Sequence, residues 1–199
     1  VSSPHGEHEV GRAVFLDRDG TINRSVVRGG KPYPPPTVEE FEFLPGAEEA
    51  IRALREAGFL IIVVTNQPDV ASGVQRREVV EAMHEKLRAL GLCDDIKVCY
   101  HSAEDGCDCR KPKPGMLIEA ASTWQIDPRR SFMVGDRWRD VEAGKAAGCY
   151  TFFIDHKYQE GLTESPDAVV GSLEEAGRVI REELHLRGTD MGHEIVDIK

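Results

Sequence analysis

Short apolar runs recur along the chain at 13–16, 60–64, 96–100, 132–134 and 150–154. Most are unbroken by polar residues, the pattern of strands buried on both faces of a parallel sheet. Between them the apolar spacing changes to that of helices. Segment 47–57 sets Ala50, Ile51, Leu54 and Ala57 on one face and stops at Gly58. Segment 75–90 carries Val79, Met83, Leu87 and Leu90 at helix spacing, and 116–124 and 141–147 are shorter helical stretches. Strands alternating with helices predict βαβ units, hence an α/β sandwich of three layers around a mainly parallel sheet. Right-handed crossovers bring the carboxyl ends of all the strands, with their loops, to one side.

Two stretches break this rhythm. The first, 25–37, contains Gly29-Gly30-Lys31-Pro32-Tyr33-Pro34-Pro35-Pro36, which excludes helix and central strand. It directly follows the first strand end and is read as a flap over whatever that strand end carries. The second is the cysteine-bearing loop 99–109. No repeat or linker marks a second domain, so a single domain is expected over 11–186, with polar tails at 1–10 and 187–199. A chain of 199 residues, 40% hydrophobic and 30% charged, buries a core without disulfides. The formal charge of −10 argues against nucleic acid and anionic membrane as partners. An anionic substrate must therefore meet cations placed locally. A cytoplasmic monomer is expected.

The strand ends carry the candidate chemistry. Val14-Phe15-Leu16 stops at Asp17-Arg18-Asp19-Gly20-Thr21, so two carboxylates reach the edge of the sheet together. Like charges this close resist joint ionisation unless a cation lies between them or one holds a proton. The second run ends in Thr65-Asn66-Gln67, a hydroxyl and two amides suited to phosphoryl oxygens. After the third comes Arg110-Lys111-Pro112-Lys113-Pro114-Gly115, cations at a helix start, where free N–H groups and the helix dipole add positive potential. The fourth ends in Gly135-Asp136-Arg137-Trp138-Arg139-Asp140. Asp136 with Asp17 would form an oxygen-rich cluster suited to Mg²⁺. Asp140 also fits the acidic first turn of a helix.

Cys99, His101, Cys107 and Cys109 lie within eleven residues. Three thiolates and an imidazole suit tetrahedral Zn²⁺ with no open position, a structural site that would order this loop and the Arg110-Lys111 pair beside it. Cys93 and Cys149 lack such company and read as small hydrophobes.

This ordered set resembles the haloacid dehalogenase superfamily of phosphohydrolases over about 12–172. The resemblance implies a Rossmann-like fold and an aspartyl-phosphate mechanism. Asp17 would be the nucleophile and Asp19 the acid and then the base. Thr65 and Lys111 would bind the phosphoryl group, with Asn66 also among the substrate-binding residues. Mg²⁺ would be held by Asp17, the Asp19 carbonyl and Asp136, with Asp140 supporting that loop. The pattern Cys99-Tyr100-His101 … Cys107-Asp108-Cys109-Arg110-Lys111-Pro112, with Phe41-Glu42-Phe43-Leu44-Pro45-Gly46-Ala47, resembles the heptose 1,7-bisphosphate phosphatases and the similar histidinol-phosphate phosphatases. That implies removal of a 7-phosphate, Arg110 contacting substrate, and no large cap domain. Two departures stand out: Tyr100 replaces a common proline, and 68–73 lacks the arginine usual after Gln67. Alternative substrates are histidinol phosphate or another small sugar phosphate. A phospho-accepting signalling domain would lack an acid at the position of Asp19. A zinc-stapled binding module with a dead site would release no phosphate.

Overall fold

The computed structural model describes residues 11–190. Six strands form one sheet in the order β5–β4–β1–β6–β7–β8, every neighbouring pair parallel. They are β1 (Ala13–Leu16), β4 (Leu60–Asn66), β5 (Asp95–Cys99), β6 (Phe132–Gly135), β7 (Tyr150–Ile154) and β8 (Ala168–Val170). Alternate residues of the buried strands serve opposite faces. Val14 and Leu16 join Ile61 and Val63 in a core with Ile51, Leu54, Met83, Leu87 and Ile180. Ala13 and Phe15 join Ile62 and Val64 in another with Met116, Leu117, Ala120 and Ala143. Helices α1 (Ala47–Glu56), α2 (Arg77–Ala89) and α5 (Leu173–Asp190) thus cover one face, and α3 (Gly115–Trp124) and α4 (Trp138–Ala147) the other.

All five expected strands and four expected helices are present. The sequence reading lacked β8 and α5. β8 is three residues long, with little pattern to detect. α5 did carry a signal: Ser172 accepts a hydrogen bond from the Glu175 N–H, and the Glu175 carboxylate accepts one from the Gly171 N–H. The helix also runs to Asp190, past the boundary at 187 set for a polar tail. The expected tail 1–10 and the stretch 191–199 lie outside the described residues. On α2 the buried stripe is Val80, Met83, His84 and Leu87, not one through Val79 and Leu90, which is exposed. The stripe is rotated because His84 enters the interior to meet a buried arginine.

The flap segment forms an antiparallel hairpin, β2 (Val26–Arg28) and β3 (Lys31–Tyr33). Gly29 and Gly30 at φ 55° and 74° make its turn, both angles in the left-handed region that glycine occupies freely. An isolated hairpin is marginal. This one is braced where the Gln159 N–H donates to Gly30 O at 3.3 Å and Gln75 Nε2 donates to Pro36 O at 3.0 Å.

Candidate active site

β1 lies at the middle of the sheet, between β4 and β6, where successive strands begin to run outward in opposite directions. Such a switch point opens a crevice beyond the carboxyl ends of the strands. Into it β1 delivers Asp17, β4 delivers Thr65 and β6 delivers Asp136, all buried. Lys111, 94 residues along from Asp17, reaches the same point: its Nζ donates to Asp17 Oδ1 at 2.8 Å, Asp140 Oδ1 at 2.6 Å and Val64 O at 2.7 Å. Asp17, Asp136 and Asp140 bring one oxygen each to within 4.8 Å of one another.

The charges in this cluster do not balance. Three carboxylates face one ammonium. Burial pushes the Asp17 carboxyl up to about 6, against the pull of Lys111 and with further push from Asp140. Burial, then Asp17 and Asp140, raise Asp136 well above the ordinary carboxylate range. Burial alone would lower the Lys111 ammonium, but Asp140 and Asp17 outweigh it and hold it above its usual value. Both oxygens of Asp136 are buried with no hydrogen-bond partner. Orphaned carboxylate oxygens beside two more carboxylates are the donor set of a hard divalent cation such as Mg²⁺. Gly20 lets the first loop close over them: at φ 92°, an added Cβ would lie 1.9 Å from Asp136 Oδ2.

Asp19 is not part of this trio. Its Oδ1 accepts from Arg18 Nε and Nη2 and from Asn23 Nδ2, and its Oδ2 from Arg18 Nη2 and from Gln67 Nε2 at 2.7 Å. Gln67 also donates to Thr65 Oγ1 at 2.9 Å. Asn66, expected to donate to substrate, spends its amide on Lys111. Its Nδ2 donates to Lys111 O at 3.0 Å and its Oδ1 accepts from Lys111 N at 3.1 Å. It lines the cavity, and its role in this geometry is to place the lysine. Asp140 accepts from the Arg137 N–H at 3.0 Å with the oxygen that Lys111 does not use, which secures the loop carrying Asp136.

A cavity of about 260 Å³ opens above Asp17, Asp19, Thr65 and Lys111. Its wall includes Lys31, Pro32, Tyr33 and Pro34 of the hairpin, so the flap faces the carboxylates. Arg110, Arg137 and Arg139 add cations at its rim. Arg137 is neutralised by Glu160, donating from Nε at 2.6 Å. Arg139 lies over the Trp138 ring at 5.0 Å, and burial, with Arg137 nearby, lowers its pKa. Lys31, Arg137 and Arg139 were missed as site residues. The motif Asp136-Arg137-Trp138-Arg139-Asp140 was visible, but its arginines acquire meaning only when α4 turns them toward the cavity.

The cysteine loop packs against the start of α3, so closely that a Cβ on Gly115 would lie 2.2 Å from Asp108 O. Cys99 and Cys107 sulfurs are 3.7 Å apart, Cys107 and Cys109 3.4 Å, and His101 Nδ1 is 3.2 Å from the Cys109 sulfur. These are too long for disulfides and close to the edge of a zinc tetrahedron, about 3.8 Å for a Zn–S bond of about 2.3 Å. All five cysteines are free. The donor set fits a closed Zn²⁺ site with Nδ1 as the imidazole ligand. Arg110 continues from it and donates to His101 O at 3.1 Å.

A buried ammonium among carboxylates at the carboxyl edge of a parallel sheet is a centre for phosphoryl chemistry. The sequence model of the haloacid dehalogenase-like hydrolases matches residues 36–148, more than half of the chain, including Thr65, Lys111, Asp136 and Asp140. The D-glycero-beta-D-manno-heptose-1,7-bisphosphate 7-phosphatase of Rhodopseudomonas palustris is 40% identical over 148 residues, 68% of this chain and 79% of that protein. The enzyme of that name from Escherichia coli K12 is 36% identical over 191 residues, 86% of this chain and 94% of that one. The crystal structure of a D,D-heptose 1,7-bisphosphate phosphatase from B. bronchiseptica, complexed with magnesium and phosphate, superposes with a TM-score of 0.75 at 32% identity, covering 86% of this chain and 99% of that one. The chain belongs to the haloacid dehalogenase-like hydrolase family, and within it to the phosphatases.

Proposed function

We propose that this phosphatase removes the 7-phosphate of D-glycero-D-manno-heptose 1,7-bisphosphate, working as a cytoplasmic monomer. The observation that carries the reading is the arrangement of cations in two tiers. Lys111 lies at the floor with Asp17, and Lys31, Arg110 and Arg139 stand at the rim. A substrate with a phosphate at each end calls for both. The missing arginine in 68–73 is compensated by cations from the hairpin and from α4.

In the proposed mechanism an Asp17 oxygen attacks phosphorus and the bond from phosphorus to the sugar oxygen breaks. Asp19 gives its proton to that leaving oxygen, then takes one from the water that attacks the aspartyl-phosphate. Thr65 and Lys111 hold the equatorial oxygens, where transition-state charge collects. Asn66 keeps Lys111 in place and Arg110 meets the sugar. Asp17, Asp136 and the backbone carbonyl of Asp19 would hold Mg²⁺, with Asp140 steadying the loop. Bound there, the ion neutralises carboxylate and phosphoryl charge. Cys99, His101, Cys107 and Cys109 would hold Zn²⁺ outside the chemistry.

The test is phosphate release from a panel: the heptose bisphosphate, fructose 1,6-bisphosphate, histidinol phosphate and simple sugar monophosphates, with and without Mg²⁺. The expected result is Mg²⁺-dependent turnover with the highest kcat/KM on the heptose bisphosphate. Turnover of it no better than of the monophosphates would end the assignment, and preference for histidinol phosphate would replace it.

A further inference from the structure

Arg18 is the largest side chain with no solvent exposure among the described residues, and it lies between the two aspartates of the first loop. Its guanidinium is divided. Nε and Nη2 donate to the Asp19 carboxylate, and Nη1 lies 3.0 Å from His84 Nε2 of α2. Guanidinium has no lone pair to accept with, so His84 Nε2 must be the acceptor and the imidazole proton must reside on Nδ1. His84 is itself fully buried and suits this role, because burial, reinforced by the charge of Arg18, lowers its pKa to about 4 and keeps the ring neutral. On the other side of the ring, Nδ1 faces Glu81 Oε2 at 3.7 Å, an acidic neighbour that favours a proton there. Glu81 is in turn fixed by the Tyr100 hydroxyl at 2.5 Å, and Arg77 lies over the Tyr100 ring at 4.5 Å.

We propose that His84 is a positioning residue for the acid–base step, holding Arg18 so that the guanidinium fork fixes the orientation of Asp19. The proposal rests on the reading of Asp19 as the group that protonates the leaving oxygen. It explains why α2 turns a histidine inward at the cost of a regular apolar stripe. It also gives Tyr100 a use: a proline there could not steady Glu81.

Such a role has a signature distinct from that of a merely structural residue. kcat/KM covers the steps up to cleavage of the P–O bond, where a sugar alkoxide needs a proton and a p-nitrophenolate does not, since it leaves as a stable anion. The experiment measures kcat/KM of wild type, His84→Leu and His84→Gln on the heptose bisphosphate and on p-nitrophenyl phosphate, all with Mg²⁺. His84→Leu is expected to lose on the order of 10- to 100-fold on the sugar phosphate and less than about 3-fold on the aryl phosphate. His84→Gln, whose amide oxygen can accept from Arg18, is expected to recover most of that loss. If the leucine variant does not fold, Arg18→Lys must show the same selective loss, because an ammonium cannot bridge His84 and both Asp19 oxygens together. Equal losses on the two substrates, or no loss on the sugar phosphate, would overturn the proposal while leaving the assigned function standing. A wild-type enzyme active on the aryl phosphate alone would remove the heptose assignment. Full sugar-phosphate activity in Asp19→Asn would overturn the proposal together with the acid–base role.

Discussion

The carboxylate centre at Asp17 and the cysteine cluster at Cys99 are joined by Arg110 and Lys111, yet opposite forces hold them. Around Asp17 the fold comes first. Two strands packed on both faces, the first turn of α4 and the loop before α3 bring charges into a dry interior, and no local preference of those residues would assemble them. Burying like charges costs free energy, and that cost raises Asp17 and Asp136 and prepares the site for a cation. Around Cys99 the ligands come first. The stretch 102–106 is almost wholly exposed and contributes nothing to either core, so a metal is the natural organiser of its shape. One site spends stability to create affinity for a metal, and the other depends on a metal for its order.

Removing one element at a time separates the two. The largest effect is expected for Asp17→Asn, which keeps the shape and removes the nucleophile. Turnover should fall by at least about 10⁴-fold, near 5.5 kcal/mol, while the metal-free protein, relieved of a buried charge, should melt no lower than wild type. Next is Lys111→Met, which leaves Asp17 and Asp140 facing each other without their shared cation. It should cost about 3–5 kcal/mol in urea denaturation without metal and less in saturating Mg²⁺.

The third test is pH. The folded Asp17 pKa lies above its unfolded value of 3.8, at about 6. The unfolded state therefore gives up its proton first, and stability present below about 4 declines as pH rises through about 6. Asp17 alone should cost the metal-free protein on the order of 3 kcal/mol over that range, read as the difference between the wild-type and Asp17→Asn profiles, and Mg²⁺ should abolish that difference. An identical pH profile with and without Mg²⁺ would place the ion elsewhere. The smallest effect is expected for the zinc cluster. Cys107→Ser or a zinc chelator should cost about 10- to 100-fold in kcat/KM, the usual price of loosening a supporting shell. Proteolytic cleavage in 99–113 should appear while the sheet melts as before. Loss of the whole fold on chelation would break the contrast.

Much of this was legible in the residues. Apolar runs that stop at a carboxylate, a hydroxyl, a lysine and another carboxylate mark strand ends, and strand ends of a parallel sheet share one edge. Four metal-binding side chains within eleven residues mark a local cluster in any fold. The flap was evident from its glycines and prolines, since glycine frees and proline fixes the backbone without reference to neighbours. These signals survive in one dimension because each depends on local periodicity, local spacing or the covalent limits of one residue.

The tertiary structure decided which polar groups face one another. Asn66 became a brace for Lys111 because β4 sets it against the backbone of the next loop. Arg137 and Arg139 became rim cations through the turn of α4. His84, one position off the expected apolar stripe, became the partner of a buried arginine 66 residues away. Pairings of this kind depend on the rotation of a helix and the order of strands. Both are set by the packing of two cores at once, and packing is a property of the whole chain that no short segment encodes.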